Sequence, residues 1–197
     1  MYAITSDTNT DATEFSTNPP ALNLNPMFHV SNFLPDGFVK FADVELKPSN
    51  TIQWIYTNQH PDMYSDYFSW VYLIVLNNFV VKIGESGQPM AILSNKNNQP
   101  ISGTTCRMGR IANHTQYKEN GRHDTDTTIR EFLNPYIATG STVSIYARQC
   151  PVLPHQISAM GKSVDLECTM HKSVELVYLN HCVDTIGEIP ILNKGLK

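Results

Sequence analysis

Apolar and polar residues alternate in short blocks along this chain. Trp70–Leu76 (WVYLIVL) and Phe79–Glu85 (FVVKIGE) are apolar runs that meet at Asn77-Asn78, a dipeptide suited to a tight turn. They predict an antiparallel hairpin. Before it, Phe38-Val39-Lys40-Phe41, Val44-Glu45-Leu46 and Ile52-Gln53-Trp54-Ile55-Tyr56 alternate between Pro-Asp-Gly and Pro-Ser-Asn turn signals and predict a β-containing arm. After it, Thr104 or Thr105 caps an expected helix through Arg107, Arg110, Ile111 and His114, which Gly121 ends. Thr125–Ile137 carries Ile129, Phe132 and Leu133 at helical spacing, and Gly140 stops it. Thr142–Arg148 alternates Val143, Ile145 and Ala147 as a third strand, and Ser173–Val183 predicts a helix that ends before Gly187.

The core order is strand, strand, helix, helix, strand, helix. It predicts an α+β fold in which helices flank a small three-stranded antiparallel sheet. Residues 1–66 form an N-terminal arm, polar from Met1 to about Pro26 and expected there to lie on the surface or to be mobile. Residues 67–197 form the main domain, with a loop from Gly87 to Gly103 too polar to be buried. Pro154–Met170 follows neither period and reads as an insertion.

Composition bounds the possibilities. With 197 residues, 41% hydrophobic and 16% charged, the chain is globular in character and long enough for one domain with an extension. A net charge of -4 argues against indiscriminate attraction to nucleic acid or anionic membranes, while leaving room for a local basic groove. Cys106, Cys150, Cys168 and Cys182 include no C-x-x-C pair, no secretory signal precedes them, and no apolar run approaches a membrane span. Reduced thiols in a soluble, cytoplasmic protein are the expectation. Cys168 and His171 lack a second ligand pair at zinc-site spacing.

The hairpin also holds the candidate chemistry. Tyr72 and Ile74 share one strand face, as do Lys82 and Gly84 in the partner strand, and a short turn at Asn77-Asn78 would bring Tyr72 and Lys82 to a common ligand. The bland account is a tyrosine packed in a sheet and a lysine snorkelling at its edge. The surrounding residues point further. Val71-Tyr72-Leu73, ten positions before Lys82-Ile83-Gly84, resembles the paired tripeptides of the GIY-YIG nuclease family. Val71 replaces the first Gly, and Lys82 replaces the second Tyr, as in some restriction endonucleases of that family. Arg110-Ile111-Ala112-Asn113-His114 resembles the family's arginine helix with a histidine one turn on, and Arg107 competes for the arginine's place. Glu175, within Lys172–Leu179, resembles the glutamate of the last helix, with Glu167 as its substitute. Pro190-Ile191-Leu192-Asn193 resembles the closing Pro-x-x-Asn, although Asn193 follows Glu175 at a longer interval than the family pattern.

The resemblance spans Trp70 to Asn193 and implies a metal-dependent endonuclease. Tyr72 would be the general base, and the Lys82 ammonium would favour its tyrosinate. His114 would hold the tyrosine or relay its proton, and Arg110 would lie against non-bridging phosphate oxygens. Glu175 would hold one Mg2+, for which Mn2+ can substitute, and Gly84 would let the DNA backbone come close. Double-stranded DNA is the implied partner. The arm and the loop favour a type II restriction endonuclease, acting as a homodimer on a palindromic site. A homing or relaxed-specificity nuclease, a catalytically inactive nucleic-acid-binding module, and a structural protein are the alternatives.

Overall fold

The computed structural model describes residues 19–46, 52–56, 69–87 and 125–194. Within them lie strands β1 (Val39–Leu46), β2 (Ile52–Tyr56), β3 (Trp70–Leu76), β4 (Phe79–Ser86), β5 (Val143–Gln149), β6 (Val152–Ala159) and β7 (Lys162–Thr169), with helices α1 (Thr125–Ala138) and α2 (His171–His181). The expected helix around Arg107–His114 and the loop beyond Gly87 lie outside the described residues.

β3 is seven consecutive apolar residues, a pattern that suits a strand buried on both faces, and every one of them is buried. It lies between β5 and β4 in a five-stranded antiparallel sheet of order β2-β1-β5-β3-β4. On one face Tyr72, Ile74 and Leu76 pack with Ile129, Leu133, Tyr136 and Ile137 of α1. On the other, Val71, Leu73, Val75, Val80 and Ile83 pack with Tyr178 and Cys182 and with Phe28, Val30, Phe33 and Phe38. The sheet is thus an α+β core with a helix on either side.

Three of its strands are the expected ones; the other two come from the N-terminal arm. The segments at Phe38–Phe41 and Val44–Leu46 are one strand, β1, which pairs with β5 and shifts register between Lys40 and Ala42. Phe41 is the extra residue of that bulge, and it interrupts the period of two that separated the segments in sequence. Pro19–Asn25 also departs from expectation, because Leu22 and Leu24 pack on the α1 side of the core and the Tyr136 hydroxyl donates to the Pro20 carbonyl at 2.8 Å. The insertion is a hairpin of β6 and β7, turning at Met160-Gly161 with φ of 54° and 74°. No helix among the described residues is long and apolar enough to cross a membrane.

Candidate functional site

The turn between β3 and β4 sets the geometry. Asn77 and Asn78 both have positive φ, 48° and 71°, as a two-residue hairpin turn matched to the strand twist requires. The turn pairs Leu76 with Phe79 and Val75 with Val80. Continued without interruption, that register would set Tyr72 opposite Ile83 and send Lys82 to the face of Leu73. Instead the register shifts between Ile74 and Val75, and Val81 is an extra residue in β4. Beyond this bulge Ile74 faces Lys82, Tyr72 faces Gly84 and Trp70 faces Ser86. Tyr72 and Lys82 become diagonal neighbours on one face, where Cβ atoms stand about 7–8 Å apart or somewhat less.

Gly84 shapes the space between them. A Cβ at Gly84 would lie 2.5 Å from the Tyr72 hydroxyl oxygen and closer still to the ring carbon that carries it. The Tyr72 ring therefore crosses β4 at Gly84, and its hydroxyl rests over the outer strand. The room expected here for a DNA backbone is occupied by this ring. Tyr72 is 1% exposed and Lys82 4%. A snorkelling lysine keeps its ammonium in water, which one so deeply buried does not. Both side chains engage partners, as a buried charge requires.

The outer edge of β4 is fixed by the C-terminal segment. Ile186 and Ile189 pack on the α2 side of the sheet and Leu192 on the α1 side, so the chain crosses the β4 edge between them. At the crossing the Asn193 side chain takes the place of a further strand: its amide donates to the Ile83 carbonyl at 2.8 Å and its oxygen accepts from the Ile83 N–H at 2.9 Å. Asn193→Ala leaves both groups unpaired in a part-buried place, at about 1–3 kcal/mol each. In a domain of this size each kcal/mol lowers Tm by about 2–4 °C. A thermal melt should register a fall of several degrees, and an unchanged Tm would show that water replaces the carboxamide at no cost.

Glu175 approaches from the other side. His171, Val174, Glu175 and Tyr178, with Cys182 just past the helix end, recur at helical spacing on the sheet-facing stripe of α2, while Lys172, Ser173, Leu176 and Val177 are exposed. Glu175 is half-buried and engages a partner, unlike a solvated surface charge. The structure thus brings Tyr72, Lys82 and Gly84 together on one face of β4, places Asn193 at its edge, and places Glu175 on the helix that packs its other face. Arg107, Arg110 and His114 lie outside the described residues. Glu167 stands in β7, opposite Pro154 in the separate two-stranded sheet.

Among the described residues no three His, Cys, Asp or Glu side chains gather into a metal cage. Glu175 offers a single carboxylate. A single carboxylate is a donor of the kind that hard cations such as Mg2+ take while keeping several waters. Burial pushes the Cys150 and Cys182 thiols up to about 11, so neither is a thiolate nucleophile near neutral pH.

Four side chains around α2 carried no motif in the sequence. His171 Nε2 lies 3.4 Å from Glu85 Oε2, and Arg148 Nη1 donates to the Tyr178 hydroxyl at 2.5 Å. Burial raises the pKa of that hydroxyl, against the lowering effect of Arg148, and keeps it protonated. The signal that could have found them is alternation, since Glu85 and Arg148 take the same face as Val71 in their strands.

Neither a protein-family model nor a curated protein sequence matches the chain. Among solved structures, an alanine-for-glutamate variant of bacteriophage T4 EndoII aligns over 77% of this chain and 93% of its own, with a TM-score of 0.50 and 17% identity. The restriction endonuclease HPY188I, in complex with product DNA, aligns over 81% of this chain and 82% of its own, with a TM-score of 0.42 and 18% identity. The alignment with the phage protein shows a shared fold, the antiparallel sheet with helices on its faces.

Proposed function

We propose that the protein is a metal-dependent DNA endonuclease of the GIY-YIG type, and within that class a sequence-specific restriction enzyme that cuts double-stranded DNA. The observation that carries the reading is the bulge at Val81, which turns Lys82 and Gly84 onto the face of Tyr72 and seats the phenol over β4. A bulge that re-aims a side chain in this way is a recurrent device beside active sites. The fold shared with a phage protein named as an endonuclease supports the same class.

Hydrolysis of a phosphodiester needs an activated water, stabilised charge on the phosphate oxygens and a protonated or otherwise neutralised leaving oxygen. Tyr72 takes the proton of the attacking water. Lys82, on the same face, favours the deprotonated phenol by its charge. Arg110, or Arg107 in its place, sets a planar guanidinium against the non-bridging oxygens, and His114 holds the tyrosine or passes its proton on. Glu175 would hold one Mg2+ or Mn2+, which when bound supplies positive charge to the phosphate and to the leaving oxygen. The phenol and lysine lie on one face of β4 and the glutamate helix packs on the other, so this reading requires the scissile phosphate to sit at the edge of the strand, within reach of both faces. Cutting both strands of a palindromic site would call for two copies related by a two-fold axis.

The test is incubation with long phage DNA, with Mg2+ and with chelator, beside Glu175→Ala. Discrete fragments that need both the metal and Glu175 are the expected result. A metal-dependent smear would favour a relaxed-specificity nuclease, and intact DNA in every lane would replace the endonuclease reading with that of a binding module.

A further inference from the structure

Helix α2 is tied to the sheet at two polar points, and the two spacings agree. Val71 in β3 stands opposite Glu85 in β4 and opposite Arg148 in β5, so these three residues form one row across the strands. With neighbouring strands about 4.8 Å apart, Glu85 and Arg148 are separated by about 10 Å at the backbone. His171, which meets Glu85, and Tyr178, which meets Arg148, are seven residues apart on α2, or about 10.5 Å along its axis. The helix is laid across the strands with one tether over β4 and the other over β5. Glu175 falls between them, on the same stripe.

We infer that the Glu85–His171 and Arg148–Tyr178 contacts are a two-point clamp that fixes the tilt and rotation of α2, and that Glu85 and His171 are positioning residues for Glu175. This rests on the endonuclease reading for the use made of Glu175. Apolar packing of Val174, Tyr178 and Leu179 holds the helix against the sheet, and the two polar tethers define its line over the strands. The Glu85–His171 end is partly shielded, with side chains 25% and 15% exposed. His171 is seated closely as well, since a Cβ on Gly87 would lie 3.0 Å from its ring. Its Nδ1 is buried and finds no hydrogen-bond partner among the described residues. The Nε2–H tautomer, donating toward Glu85, therefore leaves only an acceptor lone pair unmet rather than a buried N–H.

The test compares His171→Ala, which removes the tether, with His171→Gln, which keeps an N–H donor on a side chain of similar reach. Amide hydrogen exchange over residues 171–176, Mn2+ binding followed by electron paramagnetic resonance, and cleavage as a function of metal concentration are measured for each. Supports to ligating side chains typically affect metal affinity by about 10–100-fold. His171→Ala should speed exchange at the start of α2 and weaken Mn2+ binding by about tenfold, with kcat at saturating metal little changed. His171→Gln should recover most of both losses. In a Glu175→Ala background His171→Ala should leave the residual Mn2+ binding unmoved. Unchanged exchange and unchanged Mn2+ affinity would overturn the clamp, as would a kcat loss at saturating metal with affinity intact. If the wild-type chain leaves DNA whole yet shows Glu175-dependent Mn2+ binding that His171→Ala weakens, the endonuclease reading falls and the clamp stands.

Discussion

Tyr72→Phe should lower DNA cleavage by about a thousandfold, within the 10²–10⁴ range ascribed to a general base, and lower Tm by only a few degrees. The substitution deletes one oxygen and leaves the ring in its slot over Gly84, so the loss in stability is confined to what the hydroxyl contributes, at most about 1–3 kcal/mol. A structural tyrosine would show the reverse, a lower Tm with cleavage kept. Lys82→Ala tests the proposed use of the phenol as a base. The base acts deprotonated, and a positive charge beside it favours that form; without the charge, deprotonation needs a higher pH. Cleavage by Lys82→Ala should therefore fall most near neutral pH and recover part of its loss as pH rises. Single-turnover rates across the neutral and alkaline range measure this, and a loss equal at every pH would remove Lys82 from the activation of Tyr72.

The periodicity of the sequence carried most of the fold. The hairpin, α1, β5 and α2 stand within a few residues of where alternation, helical spacing and Gly140 or Gly187 place them. The arm's place in the sheet was less legible. The Phe41 bulge breaks β1 into two short segments that read as separate, and nothing local says that a strand about thirty residues before β3 pairs with one about seventy residues after it. The candidate site shows the limit more sharply. Tyr72 and Lys82 are on one face because Val81 is an extra residue, yet Val80 and Val81 are both apolar and both faces of β4 are buried near the turn. A pattern of polarity cannot mark which of two valines is unpaired when either side of the strand would accept it.

The interval from Glu175 to Asn193 has a similar explanation. After α2 the chain continues through a π-helical turn, Cys182–Ile186, closes at Gly187 with φ of 82°, and only then rounds the edge of β4 to bring the carboxamide to Ile83. A π turn has no sequence signature, so the sequence did not show what the longer gap contains. It is the path needed to pass from one face of the sheet to the other. Glu85 and His171 were not read as a pair for a different reason. An acidic residue near a strand end and a histidine at a helix start are each ordinary, and only the packing of α2 across the strands makes them a pair.

Gly84→Ala should damage stability and cleavage together, and the direction of its effect on stability tests the close seat of Tyr72 on Gly84. In a strand interior, replacing glycine by alanine ordinarily stabilises by about 0.5–1 kcal/mol, because glycine loses more backbone freedom on folding. Here the added methyl would enter the volume of the Tyr72 ring, 2.5 Å from its oxygen, and a ring 1% exposed has nowhere to swing. Overpacking of that kind costs about 1–3 kcal/mol, so the clash outweighs the entropic gain and Tm should fall. Cleavage should drop by about a hundredfold, the loss associated with moving a reacting group by about 1 Å. A double-mutant cycle isolates the cause. In a Tyr72→Ala background the ring is gone and Gly84→Ala should be neutral or stabilising, giving strong non-additivity between two residues that share one space. If instead the cost of Gly84→Ala were the same in both backgrounds, the glycine would be needed for some feature of the strand other than the phenol. The proposed site would then lose the contact that aims Tyr72 across β4.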